Sequence, residues 1–193
     1  MKIVGVGCGP GMLTEEAISA IESADLIYGS ERALELASAH IGKECDARII
    51  SDYKSLRTLP DNAVILSTGD PMLAGLGYLD GEIVSGISSY QYACAKLKIP
   101  MTKTTIVNAH AKDHEKAFDE ICFDISRGKI VFIIADPEFS TEKLAERLLV
   151  GSPDCKIAVC ERLGYPDENI QKGDVRNPPS PRTGLFVLFV GDF

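Results

Sequence analysis

Residues 1–21 read MKIVGVGCGPGMLTEEAISAI, and this stretch decides the fold. A short apolar run over 2–6 leads into glycines at alternate positions, Gly5, Gly7, Gly9 and Gly11. A helical pattern leads out, with Leu13, Ala17, Ile18 and Ile21 at helical spacing. Thr14 is the expected N-cap, and Glu15 and Glu16 fall in the first turn, where the helix dipole favours acids. Strand, tight glycine turn and helix together open an α/β sheet.

Working outward, the same alternation continues. Residues 24–29, 47–51, 63–68 and 82–86 read as strands, Ser30 opens a second helix, and 88–99 form a helix that stops before Pro100. The strand at 63–68 is nearly all apolar, as a parallel strand buried on both faces must be. Strands over 104–109, 129–136 and 156–163 alternate with helices over 113–126 and 140–149. The pattern then changes. Residues 168–175 and 184–193 read as strands joined by the loop NPPSPRT without a helix, which suggests an antiparallel hairpin. The fold expected is α/β, in two domains, 1–103 and 104–193, the second ending in antiparallel strands.

Composition narrows the function classes. The net charge of −8 and the absence of a Lys/Arg cluster argue against a nucleic-acid face. No apolar run reaches the length of a membrane span, and no signal peptide precedes the first strand, so a cytoplasmic protein is expected. Six irregularly spaced cysteines, none in a C-x-x-C pair, fit reduced thiols. His110 and His114 form H-x-x-x-H, but the predicted strand-to-helix break lies between them, so no metal site is expected.

The first glycine loop fits neither common nucleotide fingerprint. A G-x-G-x-x-G needs glycine at 10 or 12, where Pro10 and Met12 stand, and no Gly-Lys-Ser/Thr follows for a phosphate loop. The G-x-G-x-G that remains fits a methyltransferase loop or a tight turn alone. Two further loops follow strands. STGDPMLAGLG (67–77) carries Asp70 in a turn before Pro71, and SGISSY (85–90) brings Ser88 and Ser89 to a helix start. Ligands of open α/β sheets bind at the carboxyl ends of the strands, where all three loops fall.

Taken in order, VGVGCGPGMLT, STGDPMLAGLG, GISSYQYACAKLKIP and CERLGYPDENI resemble the tetrapyrrole methylases over nearly the whole chain. The resemblance implies a two-domain α/β enzyme that binds S-adenosylmethionine in a cleft between its domains. The ERLGYPDE stretch and the modest length point to the C-methylases of cobalamin biosynthesis, acting on the C5 meso carbon of a cobalt-precorrin. The first loop is shorter than the family's usual GPGDPELLT, and His110-Ala111-Lys112 stands where relatives carry His-Gly-Arg. Lysine keeps the charge but loses the planar fork.

By the same resemblance, Cys8, Asp70, Leu73, Ser88, Ser89, Ala135 and Leu163 contact the methyl donor, and Gly9, Pro10, Lys112 and Arg162 contact the tetrapyrrole. His110 is the first candidate for a base, since an imidazole titrates near neutrality; Glu161 is the second. Lys54, Arg57, Lys103, Lys112, Arg162 and Arg182 are the cations expected near the substrate's carboxylates. The implied partners are a tetrapyrrole substrate, a second copy in a homodimer, and a separate C15-methyltransferase and decarboxylase, because some relatives carry that activity in a fused second domain. Another methylase of the same fold and a non-catalytic cofactor-binding subunit remain as alternatives.

Overall fold

The computed structural model describes residues 1–110 and 113–193. The chain divides into two compact units, Met1–Tyr92 and Ala93–Phe193. The sequence reading set its boundary at 103/104; the division by contacts falls inside a helix, α3 (Ser89–Leu97).

The first unit holds β1 (Lys2–Gly5), α1 (Glu15–Glu22), β2 (Leu26–Gly29), α2 (Glu31–Ala37), β3 (Asp46–Ile49), β4 (Val64–Ser67) and β5 (Glu82–Val84). Its strands form one parallel sheet in the order β3-β2-β4-β1-β5. Alternation along β1 explains burial on both faces. Val4 and Val6 pack with Ala17 and Ile21 of α1, while Ile3 packs the other way with Ile65, Leu56 and Leu79. Thr14 and Ser30 cap α1 and α2, their hydroxyls accepting from the amides of Ala17 (3.1 Å) and Ala33 (3.2 Å).

The second unit holds β6 (Thr104–Asn108), α4 (His114–Ser126), β7 (Ile130–Ile134), α5 (Thr141–Gly151), β8 (Lys156–Glu161), β9 (Asn169–Asp174) and β10 (Phe186–Gly191). The sheet order is β6-β7-β10-β8-β9. β6 and β7 are parallel, and β10 runs antiparallel between β7 and β8.

This corrects the expected hairpin. β9 and β10 do not pair with each other; β9 pairs with β8 at the sheet edge, and β10 is central. The reason lies in composition. FVLFVG is buried at every position, whereas NIQKGD has no fully buried residue. An apolar strand gains by lying between two neighbours, and a polar one tolerates the edge. The antiparallel ending stands as expected; only its pairing differs.

Where α3 ends, Lys98 takes a left-handed φ of 58°, and the amides of Lys98 and Ile99 donate to Ala95 and Cys94. This is a Schellman stop, which precedes Pro100 as the sequence suggested. None of the six cysteines forms a disulfide. Among the described residues, no helix is long and apolar enough to cross a membrane.

Candidate active site

In the first unit the three loops gather at the carboxyl ends of β4, β1 and β5, three neighbouring strands. They are tied backbone to backbone. Gly7 and Gly69 exchange hydrogen bonds of 3.2 and 2.7 Å, and the Cys8 amide donates to the Ile87 carbonyl at 3.0 Å. A Cβ on Gly5 would stand 2.6 Å from the Gly86 nitrogen, and one on Gly86 would stand 2.8 Å from the Gly5 carbonyl carbon. These glycines are therefore required by strand and loop packing, a reason the sequence did not reveal. Gly11 differs: its φ is +74° and a Cβ would meet nothing within 4 Å, so it serves the turn alone.

Asp70 clamps two of the loops. One carboxylate oxygen accepts from the Met72 amide at 2.8 Å, closing the turn at Pro71, and the other accepts from the Gly86 amide at 3.0 Å. Leu73 is half-buried in the same turn, its amide donating to the Asp70 carbonyl. Cys8 is buried, and its thiol lies 3.4 Å from the Met12 sulfur. Gly9 is buried beside it and Pro10 is exposed.

Ser88 is buried and forms a capping box with Gln91. The Ser88 amide and hydroxyl both donate to the Gln91 side-chain oxygen (2.9 and 2.8 Å), and the Gln91 amide donates back to the Ser88 hydroxyl at 3.1 Å. Ser89 opens α3 and is half-buried. The S-x-x-Q spacing at 88–91 was the available signal for this box, and the sequence reading did not use it.

In the second unit β6, β7 and β8 point the same way, as β10 is antiparallel to both β7 and β8. Their carboxyl ends bring His110, Ala135, Glu161, Arg162 and Leu163 to one edge of that sheet. His110 is exposed, and its amide donates to the Asn108 side chain at 3.1 Å. Ala135 and Leu163 are buried. Lys112 lies outside the described residues.

Glu161 is 1% exposed. One oxygen accepts from the amides of Arg182 (2.6 Å) and Thr183 (2.7 Å), the other from the side-chain amides of Asn169 (2.9 Å) and Gln171 (3.1 Å). Burial pushes its carboxyl up, but these hydrogen bonds outweigh burial and hold it below the ordinary range. Arg162 takes a left-handed φ of 47°. Its guanidinium lies 4.7 Å from the Tyr165 ring centre and 2.5 Å from the Asp167 carboxylate, which it holds below the usual range.

Of the other expected cations, Arg57 lies over the Tyr78 ring at 5.6 Å, while Lys54, Lys103 and Arg182 are exposed. One pair was not foreseen. His114, the first residue of α4, meets Asp136 at 3.1 Å, and the second Asp136 oxygen accepts from the Glu138 amide at 3.0 Å. Asp136-Pro137 after β7 thus repeats the turn of Asp70-Pro71 after β4, a repetition legible in GDP and ADP.

Each α/β unit thus collects polar loops at the carboxyl ends of its parallel strands, the edge at which open α/β sheets bind ligands. Residues 2–179 match the model of the Tetrapyrrole (Corrin/Porphyrin) Methylases, and the chain belongs to that family. It is 36% identical to the probable cobalt-precorrin-7 C(5)-methyltransferase of Methanocaldococcus jannaschii, over 86% of this chain and 85% of the relative. The crystal structure of the precorrin-6Y methylase of Archaeoglobus fulgidus is similar with a TM-score of 0.76 and 31% identity, covering 99% of this chain and 97% of that one. The precorrin-6Y C(5,15)-methyltransferase [decarboxylating] of Mycobacterium tuberculosis is 26% identical over 97% of this chain but only 51% of its own length.

Proposed function

We propose that this chain is a S-adenosylmethionine-dependent methyltransferase that methylates C5 of cobalt-precorrin-7 in cobalamin biosynthesis. The observation that carries the reading is the 36% identity to a probable C(5)-methyltransferase across most of both chains. The three loops joined at the edge of β4, β1 and β5 support it, because they form the rigid platform that alignment of donor and acceptor requires. In such a reaction positioning is worth about 7–11 kcal/mol.

The residues suit a bound cofactor in one further respect. The Tyr165 hydroxyl is buried without a hydrogen-bond partner among the described residues, and it sits two residues from Leu163. When bound, S-adenosylmethionine supplies an electrophilic methyl on a sulfonium. Asp70 holds the second and third loops in register, and Ser88 fixes the start of α3. Donor contacts are proposed on Cys8, Asp70, Leu73, Ser88, Ser89, Ala135 and Leu163, and tetrapyrrole contacts on Gly9, Pro10, Lys112 and Arg162. The meso carbon loses a proton once methylated, and His110, exposed after β6, is the proposed acceptor.

The protein is further proposed to work in the cytoplasm as a homodimer. A separate protein for C15 methylation and decarboxylation is the further proposed partner, because the Methanocaldococcus relative, covered to 85% of its length, is named for C(5) methylation alone, whereas the Mycobacterium relative is named for both positions. Calorimetric titration with S-adenosylhomocysteine tests the donor. Micromolar binding at one site per chain is expected; no binding at millimolar concentration would overturn the reading.

A further inference from the structure

Glu161 stands where a base would be sought, at the carboxyl end of β8 beside Arg162 and Leu163, yet both its oxygens are already engaged. The donors come from two separate segments. Asn169 and Gln171 lie two apart on β9 and so share one face, while Arg182 and Thr183 belong to the loop entering β10. Gln171 also donates to the Ser180 carbonyl at 3.2 Å, and the Ser180 hydroxyl donates to Glu142. The carboxylate is the node at which β8, β9 and the 180–183 loop meet.

The next residue is strained. A non-glycine at φ 47° persists only where its surroundings over-determine it. Here they do. The Arg162 amide donates to the Leu185 carbonyl at 3.0 Å, and the Tyr165 amide donates to the Arg162 carbonyl at 3.0 Å. The Gly164 amide donates to Glu168 at 2.8 Å, and Glu168 in turn pairs with Lys96 at 2.8 Å. The chain thus enters the turn from a fixed carboxylate and leaves it through a fixed one.

We infer that Glu161 is a positioning residue: through Arg162 it sets the backbone of the 162–165 turn, and so the place of Leu163 in the donor site. This rests on the proposed function for the donor contact at Leu163. It reassigns Glu161 from proton transfer to architecture. A buried carboxylate saturated by hydrogen bonds to its charged form is a poor proton acceptor, because each bond would weaken on protonation.

The test uses two substitutions with opposite expectations. In Glu161→Gln one oxygen still accepts from the Arg182 and Thr183 amides, Asn169 turns its side-chain amide to accept from the new nitrogen, and Gln171 keeps its bond to the Ser180 carbonyl, losing only its contact with residue 161. Positioning therefore predicts rescue, with kcat within about threefold of wild type. A catalytic base predicts a loss of about two to four orders of magnitude in kcat with donor affinity unchanged, and that result overturns the inference. Glu161→Ala frees the turn. The inference predicts at least a tenfold rise in the S-adenosylhomocysteine Kd and faster amide hydrogen exchange at Leu163, Gly164 and Tyr165.

If Glu161→Ala does not fold, Gln171→Leu removes one donor and the Ser180 contact while the carboxylate stays; the same two readouts should move in the same direction. Unchanged exchange at 163–165 in a folded variant would refute positioning. Wild-type protein is titrated alongside. Absence of binding there removes the donor assignment itself, whereas the exchange readout needs no ligand and still decides whether Glu161 holds the turn.

Discussion

Gly86→Ala is the sharpest probe of how the first unit assembles its loops. The added Cβ would stand 2.8 Å from the Gly5 carbonyl carbon and 2.9 Å from the Gly5 Cα, and also within the van der Waals sphere of the Gly69 carbonyl oxygen. All three atoms are backbone, so no side-chain rotation relieves the clash. Relief requires β5 to shift from β1, or the 67–77 loop to lift away. Either movement also stretches the 3.0 Å bond from the Gly86 amide to Asp70. Forcing extra atoms into packed structure costs about 1–3 kcal/mol, and loss of a buried hydrogen bond adds about 1 kcal/mol. The sum is about 2–4 kcal/mol. At roughly 2–4 °C per kcal/mol for a chain of this size, Tm should fall by at least about 4 °C in a calorimetric scan. Gly11→Ala is the control: it has open space but a φ of +74°, so only backbone strain of about 1–2 kcal/mol is expected. Gly86→Ala within about 0.5 kcal/mol of wild type, or less damaging than Gly11→Ala, would refute the packing argument.

Three further outcomes are expected. Ser88→Ala removes the hydroxyl half of the capping box and should cost about 1 kcal/mol by urea unfolding, with α3 fraying first at its start in amide exchange. Asp70→Asn turns one acceptor into a donor facing either Met72 or Gly86, so stability should fall by about 1–3 kcal/mol and donor affinity should fall with it. Unchanged S-adenosylhomocysteine binding would remove Asp70 from the donor site. Glu161 has a folded pKa held below its ordinary 4.5, so its contribution is fully present above about pH 4.5 and is lost as pH falls through the folded value. The stability gap between wild type and Glu161→Gln, measured by urea unfolding, should therefore narrow below pH 4.5.

Much of the fold was legible because the signals were local. Thr14 and Ser30 announced their helices by cap chemistry, and the apolar 63–68 run announced a doubly buried strand. The pairing of β9 and β10 was not legible, since a loop such as NPPSPRT fixes no register. The contrast between NIQKGD and FVLFVG did carry the answer, edge against centre. Among the site residues, Asp70 and Ser88 were singled out by position; the bond from Asp70 to Gly86 depends on which loops the sheet order makes neighbours, whereas the Ser88–Gln91 box is local. Glu161 shows the same limit. A carboxylate at the end of a strand suggests proton transfer, and only the fold reveals that Arg182 and Thr183, distant in sequence, fill one of its oxygens. His114 was read only with His110 as an H-x-x-x-H; its pairing with Asp136 was not legible because that residue follows a different strand.

The central claim is methyl transfer to C5, and it is tested by incubating the purified protein with cobalt-precorrin-7 and S-adenosylmethionine carrying a carbon-13 methyl group. The account predicts a single labelled methyl on C5 by NMR, with one S-adenosylhomocysteine formed per product. Label at another ring carbon, or no transfer by protein that binds S-adenosylhomocysteine, would contradict it.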